Sequence, residues 1–358
     1  MKISFRSLLT VATAVLVLVG LTGCGNSGTE PWTVNTSFVY LQVNPTSAPA
    51  VAPSIAGNSQ SAWARRAALV SRPHTALKRA TKMSSIDIAS GSVDLYLYDT
   101  TSGTNTKLNP ESADLVTAQL SYDGTKLLFS GYDSAGYVQI YIADAKFQTL
   151  VQLTTAEVDH YDVLLSKDGS TVAYDSDSGS IYTMPATLTP TGAVPTPTLI
   201  DTSAINYAWG PAFTPDGTKV VFSGRASGIN QAVFIIGVDG SGLKALSLPA
   251  TTYYDEFPTV SNDGTMVAFE RESGSGVNIA SMSISGETST GSATILTTDN
   301  YSWQPLYLGS KILYMSKKDN ISGTDADNIY IMNADGSSVT RLTNTTLEDG
   351  FNLLYSLD

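Results

Sequence analysis

Phe213-Thr214-Pro215-Asp216-Gly217-Thr218-Lys219-Val220-Val221-Phe222-Ser223 joins two apolar runs through Pro-Asp-Gly. Proline presets φ at the second position of a turn, Asp tolerates the third, and Gly takes the left-handed position that closes a type I turn with a bulge. The stretch therefore reads as a β-hairpin. Copies stand at Leu120-Ser121-Tyr122-Asp123-Gly124, Leu165-Ser166-Lys167-Asp168-Gly169 and Val260-Ser261-Asn262-Asp263-Gly264, each followed by a strand-like run. Leu306-Tyr307-Leu308-Gly309-Ser310 is a copy shortened at its turn, and Tyr355-Ser356-Leu357-Asp358 stops where the turn would begin. Anchors about 45 to 49 residues apart mark a propeller or another repeat array.

Strand patterns fill the intervals. A third-strand pattern recurs at Asp94 to Asp99, Val138 to Ile142, Ser180 to Met184, Ala232 to Ile236, Val277 to Met282 and Asn328 to Met332. Runs after the turn are Lys126 to Ser130, Thr171 to Tyr174, Lys219 to Ser223, Met266 to Glu270 and Lys311 to Met315, and Phe38 to Val43 supplies a sixth near the N-terminus. Inner strands end at Leu120, Leu165, Phe213, Val260, Tyr307 and Tyr355. The expected fold is all-β: a six-bladed β-propeller of four-stranded antiparallel blades. The ring would close by pairing Phe351 to Leu357 with Phe38 to Val43, Asp94 to Asp99 and Lys107 to Asn109. Closure leaves only short, protected edges.

Lys2 and Arg6 precede an apolar core from Leu8 to Val19, the pattern of a secretory signal. Leu21-Thr22-Gly23-Cys24 resembles the bacterial lipobox, which implies residues 1–23 as a lipoprotein signal peptide, Cys24 as the lipidation site and residues 24–36 as a tether. Gly25 after the cysteine leans toward the outer membrane, facing periplasm or cell surface. Cys24 is the only cysteine, so disulfides and a thiol nucleophile are excluded from the mature chain. Residues 37–358 form the propeller, interrupted at about 44–90 by a basic Ala/Pro-rich insertion.

Charge is unevenly placed. Residues 83–358 hold 12 Lys and Arg against 31 Asp and Glu, while residues 31–82 hold six basic residues and no acid. An acidic body disfavours nucleic acid and permits a cationic partner. The same charge also serves plain solubility.

The repeats resemble the TolB-type propeller group, the PD40 repeats related to WD40. Phe213-Thr214-Pro215-Asp216-Gly217-Thr218-Lys219 matches that group's inner hairpin. Asp327-Asn328-Ile329-Tyr330-Ile331-Met332-Asn333-Ala334-Asp335-Gly336-Ser337, with Thr340-Arg341-Leu342-Thr343, matches its third and fourth strands. The resemblance covers roughly residues 91–358 and implies the fold. No recognisable TolB N-terminal α/β domain precedes the repeats, the fifth hairpin lacks Asp-Gly, and the group's Trp three residues before the Asp is Leu, Phe or Val here.

In such propellers one face gathers the loops that lead into the inner strands. Here those loops carry Glu157, Asp159, His160, Tyr161, Tyr207, Tyr253, Tyr254, Asp255, Glu256, Asp299, Tyr301, Glu348 and Asp349, a candidate binding face of acids and aromatics. Several of these begin a strand and serve equally well as blade packing. Arg65, Arg66, Arg72, Lys78 and Arg79 in the insertion form a candidate lid over that face. Asp325 and Asp327 beside Asn320 and Asn328 offer oxygen ligands for calcium, but without the spacing of a known loop.

Catalytic constellations are scarce. The chain has two histidines, His74 and His160, and no Gly-x-Ser-x-Gly elbow, so no catalytic residue, metal cluster or cofactor is expected. Asp255 and Glu256 are adjacent on a strand and point to opposite faces, which argues against their acting as a pair. The expected function is a monomeric cell-envelope lipoprotein whose propeller binds a protein or peptide, with a cationic one favoured. The alternative is an enzyme acting on cell-wall or extracellular polysaccharide through rim carboxylates.

Overall fold

The computed structural model describes residues 37–43, 90–99, 104–107, 115–144, 148–188, 194–200, 202–226, 229–247, 252–319 and 328–341. Among the described residues the sheets are built from strands paired antiparallel. β1 (Ser37–Val43), β2 (Ser90–Asp99) and β3 (Thr104–Lys107) form a three-stranded sheet in that order. The first blade follows with β4 (Leu115–Leu120), β5 (Lys126–Tyr132), β6 (Val138–Asp144) and β7 (Leu150–Gln152). The second holds β8 (His160–Leu165), β9 (Thr171–Ser176), β10 (Ile181–Pro185) and β11 (Thr198–Leu199). The third holds β12 (Ile205–Phe213), β13 (Lys219–Ala226), β14 (Ile229–Gly237) and β15 (Lys244–Ala245). β16 (Tyr254–Val260), β17 (Met266–Ser273), β18 (Gly276–Ser285), β19 (Thr288–Ser289) and β20 (Thr294–Ile295) make the fourth, whose β18 pairs with both short strands. β21 (Ser302–Leu308), β22 (Lys311–Ser316), β23 (Asn328–Asn333) and β24 (Thr340–Arg341) make the fifth.

This corrects the blade count. Among the described residues the structure shows a propeller of five blades, not six, built on four antiparallel strands each, with an additional short strand in the fourth. β1 to β3 were expected to be three strands of a sixth blade, and they do pair with one another in register from Ser37↔Asp99 to Val43↔Val93. Their sheet has no fourth strand among the described residues, and Phe351 to Leu357, expected to close the ring, lies outside those residues. The expected inner-strand ends agree closely elsewhere: β4, β8, β12 and β16 stop at Leu120, Leu165, Phe213 and Val260.

Four of the inner hairpin turns are held by one repeated set of bonds. In the third blade Thr214 Oγ1 donates to Asp216 Oδ1 at 2.6 Å, and the same carboxylate oxygen accepts the N–H of Thr218 at 3.0 Å. Gly217 N donates back to Thr214 O at 2.8 Å with φ at 69°. The equivalent bonds run from Ser121 to Asp123, Ser166 to Asp168 and Ser261 to Asp263. In all four turns the hydroxyl bond is the leading cause holding the Asp carboxyl below its ordinary range. A glycine is required because φ near 70° strains any side chain bearing a Cβ. The fifth hairpin uses a two-residue turn instead, with Leu308 paired to Lys311 across Gly309 and Ser310.

The core lies between blades as a series of layers. Val220 and Phe222 pack toward the second blade against Ile181 and Ile200, whereas Val221 between them packs toward the fourth against Val267 and Phe269. A strand alternates its side chains, so one buried on both faces must be apolar throughout. That explains continuous runs such as Lys-Val-Val-Phe-Ser rather than alternating ones. Each buried Val or Phe contributes about 1.5–3 kcal/mol relative to exposure.

Candidate binding face

Four inner strands share an irregularity part-way along their length. Register shifts fall between Tyr161 and Leu164, Trp209 and Ala212, Glu256 and Thr259, and Trp303 and Leu306. The extra residue in each is left-handed: Asp162 at φ 41°, Gly210 at 59°, Phe257 at 49° and Gln304 at 49°. Such bulges bend a strand and re-aim its side chains, and left-handed non-glycine residues persist only where surrounding contacts hold them.

Those contacts come from the preceding blade. Phe257 N donates to Ser223 Oγ at 2.7 Å, and Gln304 N donates to Glu270 Oε1 at 2.8 Å. The Phe257 ring lies over Gly210, where an added Cβ would stand 3.2 Å from ring Cδ1. The third and fourth blades thus each pin the strained bulge of the blade that follows. Pro211, Pro258 and Pro305 follow three of the bulge residues, a recurring x-Pro signal that sequence reading missed.

The loops meeting at this end are tied together. Asp177 N donates to Asp159 O at 3.1 Å, Ala208 N to Gly179 O at 2.8 Å, Val277 N to Asn300 O at 3.0 Å and Lys317 N to Tyr301 O at 3.1 Å. The loops after the second strands and those before the inner strands therefore share one face, as expected.

The acids of this face are largely turned inward. Asp159 is buried, its Oδ1 accepting Val138 N at 2.7 Å and its Oδ2 accepting Tyr161 Oη at 2.8 Å. Asp255 is fully buried and accepts from Arg271 Nε and Nη2, both at 2.7 Å. Glu256, buried beside it, accepts from Gln231 Nε2 of the third blade, and Gln231 Oε1 accepts from Arg225 Nη2 at 2.8 Å. Adjacent carboxylates thus engage different partners, in keeping with their opposite directions on the strand. Glu256 stands directly across from Glu270 on the neighbouring strand, but both are buried and hydrogen-bonded. Asp299 is half-buried and accepts Tyr301 N and Ser302 Oγ, each at 2.8 Å.

His160 is 5% exposed, and neither ring nitrogen has a hydrogen-bond partner among the described residues. Burial lowers its pKa from 6.5 to about 4, against the opposing pull of the Asp159 charge. Its ring meets Tyr174 edge-on at 5.1 Å. Tyr161 is buried as well.

What reaches solvent here is mainly aromatic. Tyr301 is 45% and Tyr253 38% exposed, with Val158 and Glu157 exposed beside the second blade. Tyr207, Tyr254 and Trp303 are half-buried. Tyr253 has the Arg271 guanidinium 5.5 Å from its ring centre, and Trp303 has Lys317 Nζ at 6.0 Å. Tyr207 packs 5.7 Å from Trp209 and donates to Asp177 O at 3.4 Å. The surface is less anionic and more aromatic than the letters of the sequence imply.

Cys24, Glu348, Asp349, the lid residues Arg65, Arg66, Arg72, Lys78 and Arg79, and the calcium candidates Asn320, Asp325 and Asp327 lie outside the described residues. Among the described residues no cluster of His, Cys, Asp or Glu is arranged to hold a metal ion.

The sequence matches the family described as PD40, TolB beta propeller domain, over residues 57–307. A comparison with curated proteins finds no match. Among solved structures, TolB from Acinetobacter baumannii is similar at 20% identity and a TM-score of 0.57, over 72% of this chain and 61% of that one. Putative TolB from Agrobacterium tumefaciens is similar at 17% identity and a TM-score of 0.53, over 66% of this chain and 83% of that one. A chain of the nidogen/laminin complex gives 10% identity and a TM-score of 0.53, over 70% of this chain and 90% of that one. This chain therefore spans 61% of the length of the Acinetobacter protein, and at these identities the likenesses speak to the fold. Family match and strand topology agree, and the chain belongs to the TolB β-propeller family.

Proposed function

We propose that this chain is a bacterial cell-envelope lipoprotein whose propeller acts as a binding scaffold for a protein or peptide partner. Cys24 carries the lipid, the outer membrane holds it, and the propeller works as a monomer without catalysis, metal or cofactor of its own. Two acyl signals suffice for stable membrane attachment, whereas one is marginal. The membership in the TolB propeller family supports an envelope setting. Replacing Cys24 by Ser should release the chain from membranes and abolish incorporation of a fatty-acid label; retention of both would refute the anchor.

The observation that carries the binding reading is the pairing of exposed Tyr253 and Tyr301 with strained bulges pinned from the neighbouring blade. Rigidly backed aromatics present large contact area at little entropic cost, which is what protein interfaces favour. Glu157 at the rim supplies an acidic component for a cationic partner. Affinity capture from native envelopes tests this, using the mature chain and a variant with Tyr253→Ser, Tyr301→Ser and Glu157→Gln. A protein retained by the former and lost by the latter supports the reading. Identical captures by both would sink it, as would conversion of a polysaccharide by the pure chain.

A further inference from the structure

Six Asp-Gly steps fall in the described turns, at Asp123, Asp168, Asp216, Asp239, Asp263 and Asp335, and all six aspartates are exposed. Among aspartyl steps, Asp-Gly is the one most open to backbone rearrangement, because glycine puts no side chain in the way of its own nitrogen. The glycine nitrogen attacks the aspartyl Cγ, a water molecule leaves, and a five-membered succinimide forms. Water then reopens the ring at the aspartyl α-carbonyl, leaving isoaspartate with no net change in atoms and one extra methylene in the backbone.

The glycine nitrogen is restrained alike in all six turns. It donates to the carbonyl three residues earlier at 2.8 Å in the four inner hairpins and at 2.9 Å in the outer turns at Gly240 and Gly336. The electrophile is not restrained alike. Each inner-turn aspartate accepts from a hydroxyl two residues before it: Ser121 at 2.6 Å, Ser166 at 2.5 Å, Thr214 at 2.6 Å and Ser261 at 2.6 Å. That hydroxyl oxygen is itself fixed by the N–H leaving the turn, at 2.8 Å from Lys126, 3.0 Å from Thr171, 3.1 Å from Lys219 and 2.9 Å from Met266. Among the described residues Asp239 and Asp335 keep only the bonds from the residue two after them, Ser241 N and Oγ at 2.9 and 2.7 Å and Ser337 N and Oγ at 2.9 and 2.6 Å. The position two before is Gly237 in one turn and Asn333 in the other, and the Asn333 amide donates to Ser337 instead. Glycine φ follows the same division, 66° to 71° in the inner turns against 85° and 87° in the outer ones.

We propose that the inner-turn hydroxyls guard the propeller's hairpins against isomerisation, and that Asp239 and Asp335 are the positions at which this chain forms isoaspartate. To reach the glycine nitrogen, an inner-turn carboxyl must first abandon a hydroxyl that is anchored at its other side. The outer carboxyls face no such restraint from before the turn. Damage is thereby directed to the outer turns, away from the inner hairpins.

The test is peptide mapping of the mature chain after prolonged warming in mildly acidic buffer, with isoaspartate located by electron-transfer fragmentation. A parallel sample is aged in urea. In the folded chain, isoaspartate should accumulate about tenfold faster at Asp239 and Asp335 than at the four inner aspartates, the order of one charge-assisted hydrogen bond. In urea the six rates should converge. Thr214→Val should raise the rate at Asp216 to that of the outer turns, and Ser261→Ala should do the same at Asp263 if the first variant does not fold. Equal rates in the folded chain, the same ranking preserved in urea, or unchanged rates in both variants would each overturn the proposal.

Discussion

Protonation of His160 should make the propeller lose stability over a defined pH window. The ring is 5% exposed with no hydrogen-bond acceptor among the described residues, and its pKa in the fold is about 4 against 6.5 ordinarily. A depressed histidine pKa means that the unfolded chain takes up the proton first. Stability is therefore whole above pH 6.5, falls as pH drops toward 4, and loses nothing more from this group below that. At about 1.4 kcal/mol for each pH unit between the two values, the loss amounts to about 3 kcal/mol. The turn aspartates do not confuse the reading. Their carboxyls lie below the ordinary 3.8, so the stability they contribute falls as the unfolded chain's carboxylates protonate, and being common to both proteins it cancels in the difference. Urea unfolding of the wild type and of His160→Phe, run from neutral pH to just above 4, gives the comparison. The difference between their stabilities should shift by about 3 kcal/mol across the window, with the variant the flatter of the two. Parallel curves, or an imidazole proton titrating near 6.5 in the folded chain, would refute the burial argument.

Other perturbations probe the remaining contacts. Gly210→Ala forces a Cβ onto a left-handed residue and against the Phe257 ring, and should cost about 1–3 kcal/mol in urea unfolding, whereas Gly274→Ala, with open space around it, should cost well under ~1 kcal/mol. Arg271→Leu leaves the fully buried Asp255 carboxylate without its two 2.7 Å donors and should destabilise by about 3–5 kcal/mol, with the double variant Arg271→Leu/Asp255→Leu recovering most of the loss. Asp216→Ala removes the acceptor of two turn bonds and should lower stability by about 1–3 kcal/mol, measured as a fall in melting temperature.

Much of the fold was readable because its turns demand particular chemistry. Gly217 and its counterparts must be left-handed, so Asp-Gly located four of the hairpins, and the flanking runs placed strand ends at Leu120, Leu165, Phe213 and Val260. The paired hydroxyl at Thr214, Ser121, Ser166 and Ser261 was in plain view but escaped notice, since its role appears only when the turn brings it to the aspartate. The blade count failed for a different reason. Strand-like runs at both ends of the chain can be counted but not paired by pattern, and Ser37–Val43, Ser90–Asp99 and Thr104–Lys107 make a three-stranded sheet.

Charge on the candidate face was misjudged through distance along the chain. Acids are rarely buried unless paired, so Asp255 and Glu256 read as surface groups. Their partners are Arg271 across the hairpin and Gln231 on the preceding blade, separations that no local pattern reveals. The bulges had a weak signal in Gly210-Pro211, Phe257-Pro258 and Gln304-Pro305, spaced with the repeat. A proline after the kink removes an N–H that the bulged ladder leaves unpaired, which links that signal to a physical cause.

Amide hydrogen exchange on the mature chain, with and without a partner captured from the envelope, tests the binding proposal most directly. Slowed exchange concentrated at residues 157–162, 253–257 and 299–304 is the expected result, because the exposed Tyr253 and Tyr301, the pinned bulges at Phe257 and Gln304 and the exposed Glu157 and Val158 lie in these segments. Slowing confined to the opposite end, at the Asp-Gly turns around 123, 168, 216 and 263, would contradict it.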